Sequence, residues 1–180
     1  MQRALIRFHQ WEIAACLVLG RLQRVQPSHA VFIAASRLGD GILWYALWIA
    51  LLLVQGISAI PALLHMAVVG LGGTALYAAI KHGTQRLRPY EAEPRVALGT
   101  RALDRYSFPS GHTLHAVSFT ILATTYYPAL TGWLIPVAML IAASRVVLGL
   151  HYPTDVAAGA AIGALLTWGS FALPFFVGAL

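Results

Sequence analysis

Uncharged apolar stretches separated by short polar breaks dominate the chain, running from Gly41 to Gly56, Ile60 to Ile80, His112 to Tyr127, Gly132 to Leu148 and Tyr152 to Leu180. About 20 mostly apolar helical residues cross the hydrocarbon core of a bilayer. The pattern therefore predicts an all-α, polytopic transmembrane helical bundle of about five to six spans, with the first and third stretches near the lower length limit. The charges inside these stretches are Arg145 and Asp155, near the end of one and the start of the next. Tight turns at Gln55-Gly56-Ile57-Ser58 and Pro128-Ala129-Leu130-Thr131 make the spans they join antiparallel neighbours.

Residues 1 to 25 follow a different pattern. Arg3, Arg7, Gln10, Arg21 and Arg24 recur at helical spacing, while Leu5, Phe8, Trp11, Ala15, Val18 and Leu22 fill other positions. This predicts an N-terminal amphipathic helix lying at the membrane interface; the alternative is a sixth, weakly apolar span with Glu12 sheltered by the bundle. Ser36-Arg37-Leu38-Gly39-Asp40-Gly41 reads as a turn into the first span. The chain thus divides into an interfacial segment, 1–40, and a transmembrane domain, 41–180. Arg21 and Arg24 follow the apolar run Ile13 to Gly20 where a cleaved signal would have small residues, so the mature chain is expected to begin near Met1.

Composition sharpens this picture. Of 180 residues, 59% are hydrophobic and 10% charged, outside the balance of a soluble domain. The formal charge of +6 does not indicate nucleic acid, because the basic residues stand between apolar spans instead of on a polar surface. The lone Cys16 forms neither an internal disulfide nor a thiol metal site and reads as filler.

The polar connection from Lys81 to Ser110 is rich in Arg and Pro, and three clusters of candidate chemistry meet its side of the bundle. The first is Lys81 with Arg88-Pro89. A separation of seven puts two cations on one helix face, and Pro89 places Arg88 where the chain leaves the helix, its planar fork free to grip phosphate oxygens. The second is Ser107-Phe108-Pro109-Ser110-Gly111-His112. Ser110 suits a helix N-cap, Gly111 admits close approach of the backbone to a ligand, and the first-turn N–H groups favour an anion beside His112. His115, one turn on, reads as a packing residue. The third is Ser144-Arg145 with His151-Tyr152-Pro153-Thr154-Asp155. Pro153 suits the first helical turn, so Asp155 can reach back to His151, fix its tautomer and leave the other ring nitrogen as a nucleophile. If the spans alternate in direction, all three clusters lie on one membrane face. Three cations, a helix N-terminus, two histidines and a carboxylate around one anion suit phosphoryl transfer.

These residues resemble the type 2 phosphatidic acid phosphatases, a superfamily that also includes bacterial acid phosphatases and vanadium haloperoxidases. Its motifs are a Lys six residues before Arg-Pro, a Pro-Ser-Gly-His, and a Ser-Arg followed after five residues by His and after three more by Asp. They are matched by Lys81 with Arg88-Pro89, by Pro109 to His112, and by Ser144-Arg145, His151 and Asp155, without departure. The resemblance runs from about Ile60 to the C-terminus. It implies that His151 attacks phosphorus, Asp155 orients it, and His112 protonates the departing alcohol. Lys81, Arg88, Ser110, Gly111 and Arg145 would hold the phosphoryl oxygens. It implies no metal and no cofactor, in accord with three cations and no carboxylate cluster, and a lipid phosphate as substrate in a multi-pass protein of a bacterial inner membrane.

With an interfacial N-terminal helix, all twelve Lys and Arg residues fall on the active-site side. This bias places the site in the cytoplasm, whereas the bacterial relatives that the chain resembles generally face outward. The same residues admit two further readings: a lipid phosphotransferase, and a non-enzymatic lipid-binding protein, which would have no use for His112, His151 and Asp155 together.

Overall fold

The structure is a computed structural model that describes residues 2–173, so the end of the last predicted stretch, residues 174–180, lies outside the described residues, as does the side chain of Leu5. It is all helical among those residues: α1 (Gln2–Gly20), α2 (Gln26–Arg37), α3 (Leu43–Gln55), α4 (Ile60–Thr84), the short α5 (Pro89–Ala92), α6 (Gly111–Tyr126), α7 (Thr131–Val147) and α8 (Pro153–Phe171). Two stretches among the described residues, Gln26–Ala92 and Pro128–Val147, contain helix long and apolar enough to cross a membrane.

The helix α6 is central, packed against α4, α7 and α8. Its tightest neighbour is α8, because Gly159 and Gly163 present bare backbone to it: a Cβ at Gly159 would strike the carbonyl of Ser110, and one at Gly163 would lie 2.5 Å from that of Leu114. Two apolar clusters fill the bundle. Trp44, Ala116, Leu134, Ala138 and Ile141 join α3, α6 and α7, while Leu51, Leu63, Met66, Val69 and Leu122 join α3, α4 and α6. The exterior is equally apolar. Leu53, Ile57, Leu71, Trp133, Leu165 and Trp168 are each at least 66% exposed, a surface that suits hydrocarbon and not water. This is a membrane protein.

The turn expected at Ser36–Gly41 takes the form of a kink at Gly41, preceded by a helix that the sequence reading did not foresee. An extra helix, α2, lies against α7, and Leu38–Ile42 joins it to α3 as a widened turn in which Gly41 has φ 120. Gly41 lies outside the helical region of backbone space, so the chain kinks there between α2 and α3. In α1 the side facing the bundle is Glu12, Ile13, Cys16 and Leu17, whereas Phe8, Trp11 and Val18 are exposed on its other flank.

Candidate active site

Four segment ends converge at one end of the bundle: the last turn of α4, the first of α6, the last of α7 and the first of α8. Backbone hydrogen bonds tie them together. Ser110 N–H donates to the carbonyl of Asp155 at 3.0 Å, Ser107 N–H to that of Arg86 at 2.8 Å, and Gly99 N–H to that of Leu148 at 3.1 Å. Between α7 and α8 the chain reverses through Gly149, at φ 71, whose Cβ would lie 2.5 Å from the carbonyl of Ala97. Only glycine satisfies both demands.

Lys81 and Arg88 meet, though not as two positions on one helix face. The helix α4 ends at Thr84 with Gln85 left-handed (φ 47), and Arg88 is extended at the start of α5. A carboxylate joins them: Asp104 Oδ1 accepts from Lys81 Nζ at 2.9 Å and from Arg88 Nη2 at 2.7 Å. Lys81 also donates to the carbonyl of Tyr106 at 2.5 Å, and Arg88 to those of Asp104 and Leu150 at 3.1 and 2.7 Å. Burial drives the Asp104 carboxyl upward, but its bond to Lys81 and the charges of Lys81 and Arg88 outweigh this and hold it below the usual carboxylate range.

Arg145 is buried, with Nη1 2.5 Å from Ser36 Oγ and Nε without a hydrogen-bond partner among the described residues. Ser110 caps α6, its Oγ accepting from Thr113 N–H at 3.4 Å. The first-turn N–H groups of Gly111 and His112 precede any intrahelical partner. Gly111 makes room for a side chain in this structure, since its Cβ would lie 3.2 Å from the ring of Tyr77.

His151 is buried beneath the cations. Its Nε2 lies 3.4 Å from Arg88 Nη1, and its Nδ1 lies 3.6 Å from Asp155 Oδ2, close but short of the hydrogen bond expected from the sequence. The carboxylate is otherwise engaged. Asp155 Oδ2 accepts from Ser107 Oγ and from Tyr152 N–H at 2.8 Å, and its Oδ1 accepts from Arg86 Nη1 at 2.7 Å. Burial, and then the charges of Arg145, Arg88, Lys81 and His112, press the His151 pKa well below the ordinary histidine value, so the ring is neutral.

Several residues of this end escaped the sequence reading. Arg86 is one, stacked 4.0 Å over Tyr152 and bonded to Asp155, Thr154 and Glu12. The others are acids: Glu12, Asp104 and Asp40, the last with Oδ1 2.5 Å from His112 Nε2. The signal was scarcity. The chain has six acidic residues, and Glu12, Asp40, Asp104 and Asp155 all turn toward this end.

From His112 a cavity of about 700 Å³ runs along α3 and α4. Asp40, Asp104 and His112 stand at its polar head; Trp44, Trp48 and Met66 line its apolar length. His115 also faces it, with Nε2 3.2 Å from Thr74 Oγ1 and its ring stacked on Phe119.

Residues 59–178 match the sequence model of the PAP2 superfamily. The chain belongs to that superfamily. It is 36% identical over 122 residues to the decaprenylphosphoryl-5-phosphoribose phosphatase of Mycobacterium tuberculosis, a match covering 65% of this chain and 66% of the relative, just under two thirds of its length. Two solved structures share the fold. The transmembrane PAP2-type phosphatidylglycerolphosphate phosphatase of Bacillus subtilis superposes with a TM-score of 0.73 at 22% identity, over 91% of this chain and 84% of its own. LpxE of Aquifex aeolicus gives 0.71 at 24% identity, over 87% and 93%.

Proposed function

We propose that the chain is a membrane phosphatase that hydrolyses a lipid phosphate without a metal, through a phosphohistidine at His151. The seating of His151 carries the reading: a neutral ring with Nδ1 beside Asp155 and Nε2 beside Arg88. With its proton on Nδ1, such a ring offers the Nε2 lone pair toward a phosphate-binding cation. Attack by Nε2 forms the N–P bond as the P–O bond to the leaving group breaks, an ester bond in a monophosphate and an anhydride bond in a diphosphate; the leaving oxygen keeps the electron pair and takes a proton from His112. Water then attacks phosphorus, gives its proton to His112, and the N–P electrons return to His151. Lys81, Arg88, Ser110, Gly111 and Arg145 hold the phosphoryl oxygens in both steps. The unpartnered Nε of buried Arg145 supports this assignment.

The substrate class in this reading is phosphatidic acid, phosphatidylglycerophosphate or an isoprenyl diphosphate, with the tail in the cavity along α3 and α4. The decaprenyl group in the mycobacterial relative's name supports an isoprenyl tail. Residues 41–180 form the transmembrane phosphatase domain, with five to six spans in a bacterial inner membrane, and residues 1–40 an amphipathic interfacial segment. Exposed Phe8, Trp11 and Val18 alongside exposed Arg3, Arg7 and Arg21 support the latter.

The test is phosphate release in EDTA from a panel of lipid monophosphates and diphosphates in detergent. Wild-type protein should turn over at least one and be inhibited by vanadate, and His151→Ala should lose at least about 10³-fold. Undiminished turnover in that variant refutes the mechanism.

A further inference from the structure

The helical run from Gln26 to Gln55 is distorted at Leu38–Ile42, where its local geometry serves one contact. Gly41 has φ 120, a backbone conformation that residues with a Cβ rarely adopt. Gly39 passes so close to the neighbouring helices that a Cβ would lie 2.9 Å from His112 Cδ2 and 2.9 Å from Ile141 Cγ2. Between these two glycines stands Asp40, with Oδ1 2.5 Å from His112 Nε2. Asp40 lies outside the region matched by the family, residues 59–178.

We infer that Asp40 is a positioning residue for His112: its carboxylate fixes the imidazole ring through Nε2 and favours the proton-carrying form that the departing alkoxide requires. The inference rests on the reading of His112 as the acid. The two histidines have opposite requirements. His151 needs a free lone pair and lies under cations, whereas His112 needs a proton and has a carboxylate. Arg145 of α7, Asp104 of the polar connection, His115 of α6 and His151 also bear on His112 electrostatically. Among the described residues, Asp40 alone hydrogen-bonds to it. The other ring nitrogen, Nδ1, has no such partner among them, and in this inference it is the one that exchanges a proton with the reacting oxygen.

A lipid alkoxide must be protonated as it leaves, whereas p-nitrophenolate leaves without help. The experiment uses the full chain in detergent, comparing wild type, Asp40→Asn, Asp40→Glu and His112→Ala on dioctanoyl phosphatidic acid and p-nitrophenyl phosphate. Asp40→Asn should lower kcat on the lipid roughly 10- to 100-fold with KM within about twofold, since general acid catalysis contributes about 10²–10⁴ in all. Asp40→Glu should recover part of the loss, and the deficit should shrink severalfold on the aryl ester, which also shows that the variant is folded. An unchanged kcat on the lipid, a change confined to KM, or an equal loss on both substrates overturns the inference. Full activity in His112→Ala, or a wild-type protein inert on every substrate, instead defeats the phosphatase reading and the inference with it.

Discussion

Arg86 Nη1 lies 2.7 Å from Asp155 Oδ1, so the carboxylate beside His151 is itself held by a cation from the polar connection. The same guanidinium reaches Glu12 Oε2 at 2.6 Å, and Glu12 in turn receives the hydroxyl of Thr154. The helix α1 is thereby fastened to the first turn of α8 through four side chains, Glu12, Arg86, Thr154 and Asp155.

Replacing Arg86 with Gln should lower kcat by roughly 10- to 100-fold, the equivalent of losing a charge-assisted hydrogen bond of about 1.5–3 kcal/mol. Glu12→Ala should reduce thermal stability in detergent and also slow turnover, because it frees Arg86 to move. Steady-state kinetics and melting temperatures on the same preparations check both.

Asp104 occupies the two cations that a phosphate would use. In Asp104→Asn, inhibition by inorganic vanadate should tighten by up to about fivefold, a modest gain because the carboxylate is 44% exposed and its pairs are partly screened. Weaker inhibition would mean that Asp104 helps to shape the anion site.

His151 should titrate below about pH 6.5, the ordinary histidine value. Removing a neighbouring cation relieves repulsion of the protonated ring, so Arg88→Gln should move the titration upward. Imidazole signals of His151 followed by NMR against pH measure both shifts; a titration at or above the ordinary value in the wild type contradicts them.

Gly149→Ala should destabilise the protein by about 1–3 kcal/mol, from left-handed strain at φ 71 and collision with the carbonyl of Ala97. The loss should appear as a lower melting temperature. Because the Gly149 turn sets the start of the segment that carries His151, activity should fall as well.

The helices of the bundle were legible because long apolar runs have few alternatives: the predicted starts at Ile60 and Gly132 fall within one residue of those of α4 and α7. The gathering of Lys81, Arg88, Ser110, Arg145, His151 and Asp155 at one end was legible from alternation of direction. What stayed hidden was contact between distant segments. Nothing local to Asp40 or Glu12 tells which partner a long-range packing will supply, and the glycines flanking Asp40 spell a turn without showing that α2 precedes it. The expected bond from Asp155 to His151 was argued from two residues, without the competition of Ser107, Tyr152 and Arg86 for the same two oxygens.

The cavity along α3 and α4 counts Tyr45 and Leu71 among its lining residues, and both are exposed on the apolar exterior of the bundle. A molecule dissolved in the leaflet can therefore slide in sideways without first entering water. Encounter then becomes a two-dimensional search, governed by the mole fraction of substrate among surrounding lipids; adding inert detergent should slow turnover even at constant bulk concentration.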